Sequence, residues 1–184
     1  MSFRVFGYGS LVNIATLPPH EAATPFCAKG WRRAWRTTSR KATGGNCALS
    51  VEADPDGAID GLIITFPDTA WPTIAAREKN YDALHLHEDA DVIIFKAKAA
   101  ADRLGDASHP IFLSYIDTTL QGFLQHFGEA GAARFMTSTD GWATPIVNDR
   151  AAPDYPRAQQ LSRQEQESVD RLLKMVDAAP SPRH

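Results

Sequence analysis

Apolar residues run or alternate at strand spacing through the first hundred positions and recur at helical spacing in the rest. Residues 3–8 (FRVFGY) predict a buried strand ending in a glycine-containing turn. Residues 25–38 alternate, which puts Trp31, Arg33, Trp35 and Thr37 on one face. Residues 46–53 and 58–66 predict two further strands. The turn signal Asp54-Pro55-Asp56-Gly57 between them predicts a hairpin. A helix is expected over 69–83, with Asp68 as its cap and Pro72 tolerated in its first turn. Residues 91–98 read as a short buried strand.

The period changes at Pro110. Ile111, Tyr115, Thr119, Phe123 and Phe127 recur every fourth residue, with Phe112, Ile116, Leu120 and Leu124 beside them, which predicts a well-buried helix. A second helical piece, 128–137, follows Gly128. Residues 139–161 are rich in turn formers and read as a long loop. Ser162 and Glu165 fit a capping box, and Val169, Leu172, Leu173 and Val176 form one stripe, so a last helix is expected over 163–178. Strands first and helices later imply an α+β fold: a small mixed, mainly antiparallel sheet or barrel with flanking helices. A single domain over 1–178 is expected, with a flexible tail at 179–184.

Composition narrows the classes. The chain has 184 residues, 22 acidic and 19 basic, for a net charge of -3. That length should bury roughly 70% of the unfolded surface without a disulfide or metal staple. A mildly acidic chain is a poor prior for nucleic acid or an anionic membrane. Cys27 and Cys47 are too few for a disulfide scaffold or a zinc site and read as reduced thiols. No apolar run approaches a membrane span and none follows a basic start, so a cytoplasmic location is expected.

Chemistry concentrates in two places. The first is Phe6-Gly7-Tyr8-Gly9-Ser10-Leu11, where a strand ends in a sharp turn. Successive N–H groups there form either a nest for an anion, with Ser10 adding a hydroxyl, or a tight turn without a ligand. The glycines do not match a dinucleotide fingerprint or a nucleophile elbow. The second is the proposed helix at 69–83. Helical spacing places Glu78 on the stripe of Trp71, Ile74, Ala75, Tyr81 and Asp82, with Thr73, Ala76, Arg77, Lys79 and Asn80 on the other face. A carboxyl on an apolar face either holds its proton tightly enough for acid–base work or pairs with an arginine, for instance from 25–38.

Two other tracts carry less. His85-Leu86-His87-Glu88-Asp89 shares a face only if extended and lacks further ligands, so a solvated segment is expected and no metal. Lys29, Arg32, Arg33, Arg36, Arg40 and Lys41 fall within 13 residues, interleaved with Trp31 and Trp35. Such mixtures bind single-stranded nucleic acid. The rest of the chain favours charges on an exposed strand face, or one arginine holding an anionic substrate.

Together the two sites resemble the gamma-glutamylcyclotransferase-like superfamily. Residues 6–11 after the first strand look like its substrate-binding loop. Arg77-Glu78-Lys79-Asn80-Tyr81 resembles the segment bearing its catalytic glutamate, preceded by the strand Gly61-Leu62-Ile63-Ile64. Tyr115, shortly after Pro110, resembles a substrate-contacting tyrosine. The resemblance covers about residues 3–130. It implies cleavage of a gamma-glutamyl amide without water or cofactor. The substrate's α-amine attacks its own side-chain carbonyl and releases 5-oxoproline and an amine or amino acid. Glu78 is then the acid–base residue, and Phe6, Gly7, Tyr8, Gly9, Ser10, Leu11 and Tyr115 bind the small gamma-glutamyl substrate.

One departure matters. Some members have asparagine after the serine; here Leu11 follows Ser10 and the next asparagine is Asn13. Other branches, including the glutathione-degrading one, carry leucine there, so the amine half of the substrate stays open. A non-catalytic module that binds a small metabolite is the competing expectation.

Overall fold

The structure is a computed structural model and describes residues 1–39 and 45–182. Its elements are β1 (Ser2–Gly7), β2 (Ala22–Ser39), β3 (Asn46–Pro67), α1 (Trp71–Arg77), β4 (Tyr81–His85), β5 (Val92–Ala97), β6 (Ile111–Phe112), α2 (Leu113–Thr137), β7 (Thr139–Asp140), β8 (Ile146–Asn148), α3 (Arg163–Lys174) and β9 (Pro180–Pro182). The fold is α+β: among the described residues three helices accompany one mixed sheet, with α2 against β3 and α3 packed on α2. Among the described residues the sheet has nine strands, in the order β4-β5-β1-β3-β6-β8-β9, with β2 beside β3 and β7 beside β2. The long ladders β1–β3, β2–β3 and β4–β5 are antiparallel, while β1–β5 and the short pairings are parallel.

The expected hairpin at 54–57 does not form. Residues 46–67 run as one strand, and both halves pair with β2, from Ala22↔Thr65 to Ser39↔Asn46. The turn chemistry at 54–57 is real but local. Asp56 donates its N–H to the Asp54 carboxylate at 3.1 Å. The ladder resumes after a register shift, Lys29↔Ala58 and then Trp31↔Ala53. The segment is therefore an enlarged bulge, which bends a strand without reversing it. A long neighbour able to pair with both halves made this the better solution.

The expected helix at 69–83 is also shorter. A 3-10 turn at Asp68–Ala70, preceded by Pro67 and without a side-chain cap, leads into α1, which ends at Arg77 with Glu78 as its C-cap. Pro72 sits in the first turn of α1, where its missing N–H costs nothing. Tyr81–His85 instead pairs with β5 from Tyr81↔Ala97 to His85↔Ile93. Had the helix continued, β5 would present an unpaired row of N–H and C=O groups.

The core lies between the sheet and α2. Phe6, Trp35, Leu49, Ile59, Leu62, Ile64, Phe66 and Phe123 are all fully buried. Each such side chain stabilises by about 1.5–3 kcal/mol. Ile111 and Phe112 pair as β6, so the helix begins at Leu113, two residues later than expected. Tyr115, Thr119 and Phe123 are buried along it. The break at Gly128 is as expected: it has φ 65° and ψ -173°, a region open to glycine alone, and helix resumes on its far side.

The expected loop at 139–161 carries β7 and β8, which bind it to the sheet. The last helix keeps its capping box, Ser162 with Glu165, but stops at Lys174 instead of 178. The expected flexible tail is partly structured: Pro180–Pro182 pairs with β8, and Ser181 donates its hydroxyl to the Ile146 carbonyl at 3.1 Å. Arg183 and His184 lie outside the described residues. No helix among the described residues is long and apolar enough to cross a membrane.

Candidate active site

β1 ends at the foot of a cleft. Beyond it, Gly9 leads into a 3-10 turn at Ser10–Val12 with no side-chain cap, so the first N–H groups of that turn have no intrahelical acceptor. Tyr8, Gly9, Ser10 and Leu11 line the cleft together with Leu49 of β3, Glu78, Tyr81, Phe95 of β5 and Tyr115 of α2. Of the eight residues singled out by sequence, Tyr8, Gly9, Ser10, Leu11, Glu78 and Tyr115 meet here. Phe6 and Gly7 do not line it. Phe6 is fully buried against Phe26, and a Cβ on Gly7 would stand 2.7 Å from the Leu11 Cβ, so both lie behind the turn. Gly9 allows a close approach, since a Cβ there would stand 3.1 Å from the Tyr115 hydroxyl.

Glu78 reaches the cleft for a different reason than helical spacing. Trp71, its supposed stripe partner, is 41% exposed, and Tyr81 belongs to a strand. Glu78 is inside because α1 ends there and the chain turns into β4, with the Tyr81 N–H donating to the Glu78 carbonyl at 2.8 Å. Its side chain is 11% exposed. Burial raises the proton affinity of the carboxyl above its ordinary value, and the charges of Arg77 and Arg157 offset that only in part.

Arg77, expected on the solvent face, is the arginine that meets Glu78. Its side chain is 5% exposed and its Nε lies 3.4 Å from Glu78 Oε1. It also donates to the Thr16 carbonyl at 3.1 Å and to Ser10 Oγ at 3.1 Å. No arginine of 25–38 performs this task. Ser10 Oγ accepts a second bond, from the Tyr155 hydroxyl at 2.9 Å. Tyr155 in turn packs edge-on against Tyr115, with centroids 4.8 Å apart. Its place is set by Asp149, whose buried carboxylate accepts the Ser114 N–H and hydroxyl at the start of α2 and the Asp154 N–H. One acid thus couples the first turn of α2, with Tyr115, to the loop carrying Tyr155.

The tyrosines are held neutral. Burial raises the affinity of the Tyr8, Tyr81 and Tyr115 hydroxyls for their protons. Tyr8 donates to the Phe95 carbonyl at 2.5 Å and Tyr81 to the Leu49 carbonyl at 2.8 Å. A wider groove adjoins the cleft and shares Ser10, Glu78, Tyr81 and Tyr115 with it. Its other walls include Thr37, Asn80, Arg77, Tyr155, Pro156 and Arg157.

The remaining candidates lie elsewhere. Arg33 is fully buried below Phe123 and Phe135, which overturns the exposed-face expectation for it. Arg32 pairs with Asp140, and Arg36 with Glu52 and Asp102. Arg40 and Lys41 lie outside the described residues. His87 is exposed and stacks on Trp31. Among the described residues no group of three or more His, Cys, Asp or Glu comes together to hold a metal. Asn13 is buried and ties the turn to α2, donating to the Thr118 carbonyl and Gln121 Oε1.

Sequence reasoning missed Arg77, Tyr155, Leu49 and Phe95. Of these only Tyr155 carried a signal, as an aromatic residue among turn formers in Pro153-Asp154-Tyr155-Pro156.

No family model matches the sequence, and no curated protein matches it. Solved structures do match. One described as a gamma-glutamyl cyclotransferase superposes with a TM-score of 0.56 at 11% identity, covering 93% of this chain and 99% of its own. The uncharacterized protein loc79017 from Homo sapiens gives 0.54 at 12% identity, covering 92% and 98%. YkqA from Bacillus subtilis gives 0.54 at 15% identity, covering 74% of this chain and 53% of its own. The protein therefore has the gamma-glutamyl cyclotransferase-like fold.

Proposed function

We propose that the protein is a gamma-glutamylcyclotransferase-type enzyme. It cleaves a gamma-glutamyl amide by internal attack, releasing 5-oxoproline and an amine or amino acid. The observation that carries this reading is Glu78: a buried carboxyl with raised proton affinity, lining the same small cleft as the turn at 8–11. The likeness in fold to a gamma-glutamyl cyclotransferase supports it.

In this reading Glu78 takes a proton from the substrate's α-ammonium group, and the freed amine forms a bond to the γ-carbonyl carbon as the carbonyl π pair moves to oxygen. The carbonyl then re-forms and the bond to the leaving nitrogen breaks as Glu78 returns the proton to that nitrogen, while the remaining extra proton on the ring nitrogen passes to the released amine, which departs as an ammonium. The turn at 8–11 and the Ser10 hydroxyl hold the α-carboxylate or orient the glutamyl group. Phe6 and Gly7 act from behind, by fixing the turn. Tyr115 closes the opposite wall. Ring closure is intramolecular, so much of the rate comes from holding the glutamyl chain folded. The steps call on side chains and backbone alone, with no cofactor.

The purified protein is assayed with gamma-glutamyl dipeptides, glutathione and gamma-glutamyl-lysine, with 5-oxoproline as the readout. Release of 5-oxoproline that is lost in Glu78→Gln is expected. Turnover undiminished in that variant would refute the role given to Glu78. Ligand-dependent thermal stabilisation with no product would instead make this a binding module.

A further inference from the structure

The groove beside the cleft holds a cation that touches no carboxylate among the described residues and feels Glu78 only through space. Arg157 lines it next to Tyr155 and is half-buried. Among the described residues its guanidinium has no carboxylate in ion-pair contact and no side-chain hydrogen bond, and its carbonyl alone is engaged, by Gln159. Glu78 is the sole carboxylate lining either space, and it already faces Arg77 at 3.4 Å. The groove wall is therefore net positive.

The position of the groove says which part of a substrate meets that charge. The inner cleft holds Glu78, Ser10 and the turn at 8–11, the groups assigned to the glutamyl half, and among the described residues no arginine lines it. Glu78, Ser10, Tyr81 and Tyr115 line both spaces, so an amide held against Glu78 would stand at their junction, with the groove as the space open to its leaving half. We propose that Arg157 selects the leaving half, favouring gamma-glutamyl compounds whose amine carries a carboxylate next to the scissile nitrogen over uncharged or cationic amines. This rests on the cyclotransferase reading above. A guanidinium binds a carboxylate through two parallel N–H bonds, and partial burial keeps that attraction from being screened. A cationic amine would face Arg157 and Arg77 together.

The test compares gamma-glutamyl-alanine with gamma-glutamyl-ethylamine, which differ by the one carboxylate. The parent protein is expected to prefer the alanine compound by about tenfold or more in kcat/KM, carried by KM. Measured on the pH-independent plateau of each variant, above the acid limb set by Glu78, Arg157→Gln is expected to bring the ratio close to one by weakening the alanine compound alone, and Arg157→Lys to retain most of the preference. Arg157→Glu is expected to turn preference toward a gamma-glutamyl diamine. The ratio is taken within one preparation, so a partly unfolded variant does not distort it. An unchanged ratio in Arg157→Gln overturns the proposal. An equal loss on both compounds also overturns it, because Arg157 would then act through the protonation of Glu78. If the parent protein releases 5-oxoproline from neither compound nor from the wider panel, the cyclotransferase reading itself fails.

Discussion

The Tyr155 hydroxyl donates to Ser10 Oγ at 2.9 Å across 145 positions of sequence. Arg77 Nη2 donates to the same oxygen at 3.1 Å. With both lone pairs taken, the Ser10 hydroxyl is left as a donor. Its neighbour for that donation is the Tyr115 hydroxyl, so Ser10 links Arg77, Tyr155 and Tyr115 in one network at the cleft.

Tyr155→Phe removes that bond and keeps the ring against Tyr115. One hydrogen bond contributes about 0.5–1.5 kcal/mol. A fall of roughly threefold to tenfold in kcat/KM is expected, with little change in melting temperature. Steady-state 5-oxoproline release and a thermal melt check it. A large stability loss without a kinetic effect would make Tyr155 a packing residue only.

Glu78 makes stability depend on pH. Its unfolded value is near 4.5 and burial raises the folded one, so between the two the folded chain holds more protons. Stability therefore falls as pH rises through that window. Glu78→Gln lacks the effect, so the variant should gain on its parent from about pH 4.5 upward and level off above the folded value. Urea denaturation across pH 4–8 measures the difference. The opposite trend would mean that contact with Arg77 outweighs burial.

The same carboxyl sets the acid side of the activity profile. A base that holds its proton tightly gains activity only above the ordinary carboxylate range. Arg157 lowers the affinity of Glu78 for its proton. Arg157→Gln should therefore move the acid limb of kcat/KM to higher pH, which a pH–rate profile detects.

Arg33 is a buried cation with little to hold it. Nη2 donates to the Asp60 carbonyl at 3.1 Å, while Nε and Nη1 have no partner. Burial lowers its value from 12.5 to about 9. At neutral pH it is still charged and carries the whole desolvation cost, which declines only as pH rises from about 9. The contacts with Phe123 and Phe135 return about 0.5–2 kcal/mol. Arg33→Met should be more stable by about 1–4 kcal/mol at pH 7, seen as a higher melting temperature. A drop would mean that the arginine is held by more than these rings and one carbonyl.

Gly128 breaks α2 at φ 65° and ψ -173°. A side chain there would meet nothing within 4 Å, so Gly128→Ala tests backbone strain alone. A loss of about 1–3 kcal/mol is expected in chemical denaturation. A neutral result would show that the kink tolerates an ordinary residue.

Much of this was legible in the chain because it depends on neighbours a few residues apart. Alternation along 25–38 marked Trp31, Arg33, Trp35 and Thr37 as one face, and all four are buried. Ser162 and Glu165 marked a helix start by their own hydrogen bonds. Gly128 marked a break. Glu78 stood out by a helical spacing that the chain does not keep, and the glycines of 6–11 by their turn chemistry, and Glu78 and residues 8–11 lie in one cleft.

The sequence by itself thus determined the strands and helices whose pattern is local, and two of the cleft's walls. Tertiary structure decided what depends on a distant partner. Asp54–Gly57 carries the same turn chemistry in a hairpin or a bulge, and β2 chose the bulge by pairing with both flanks. Residues 78–83 fit a helical period, but β5 offered an edge, so α1 stopped and Glu78 became its buried end. Arg77, Tyr155 and Arg157 look like surface residues in the chain. They face the site only because a strand edge ends the helix at 77 and Asp149 pins the loop at 154. Local hydrogen bonding and periodicity can be read along a chain, whereas competition between distant backbone partners is resolved only when the sheet closes.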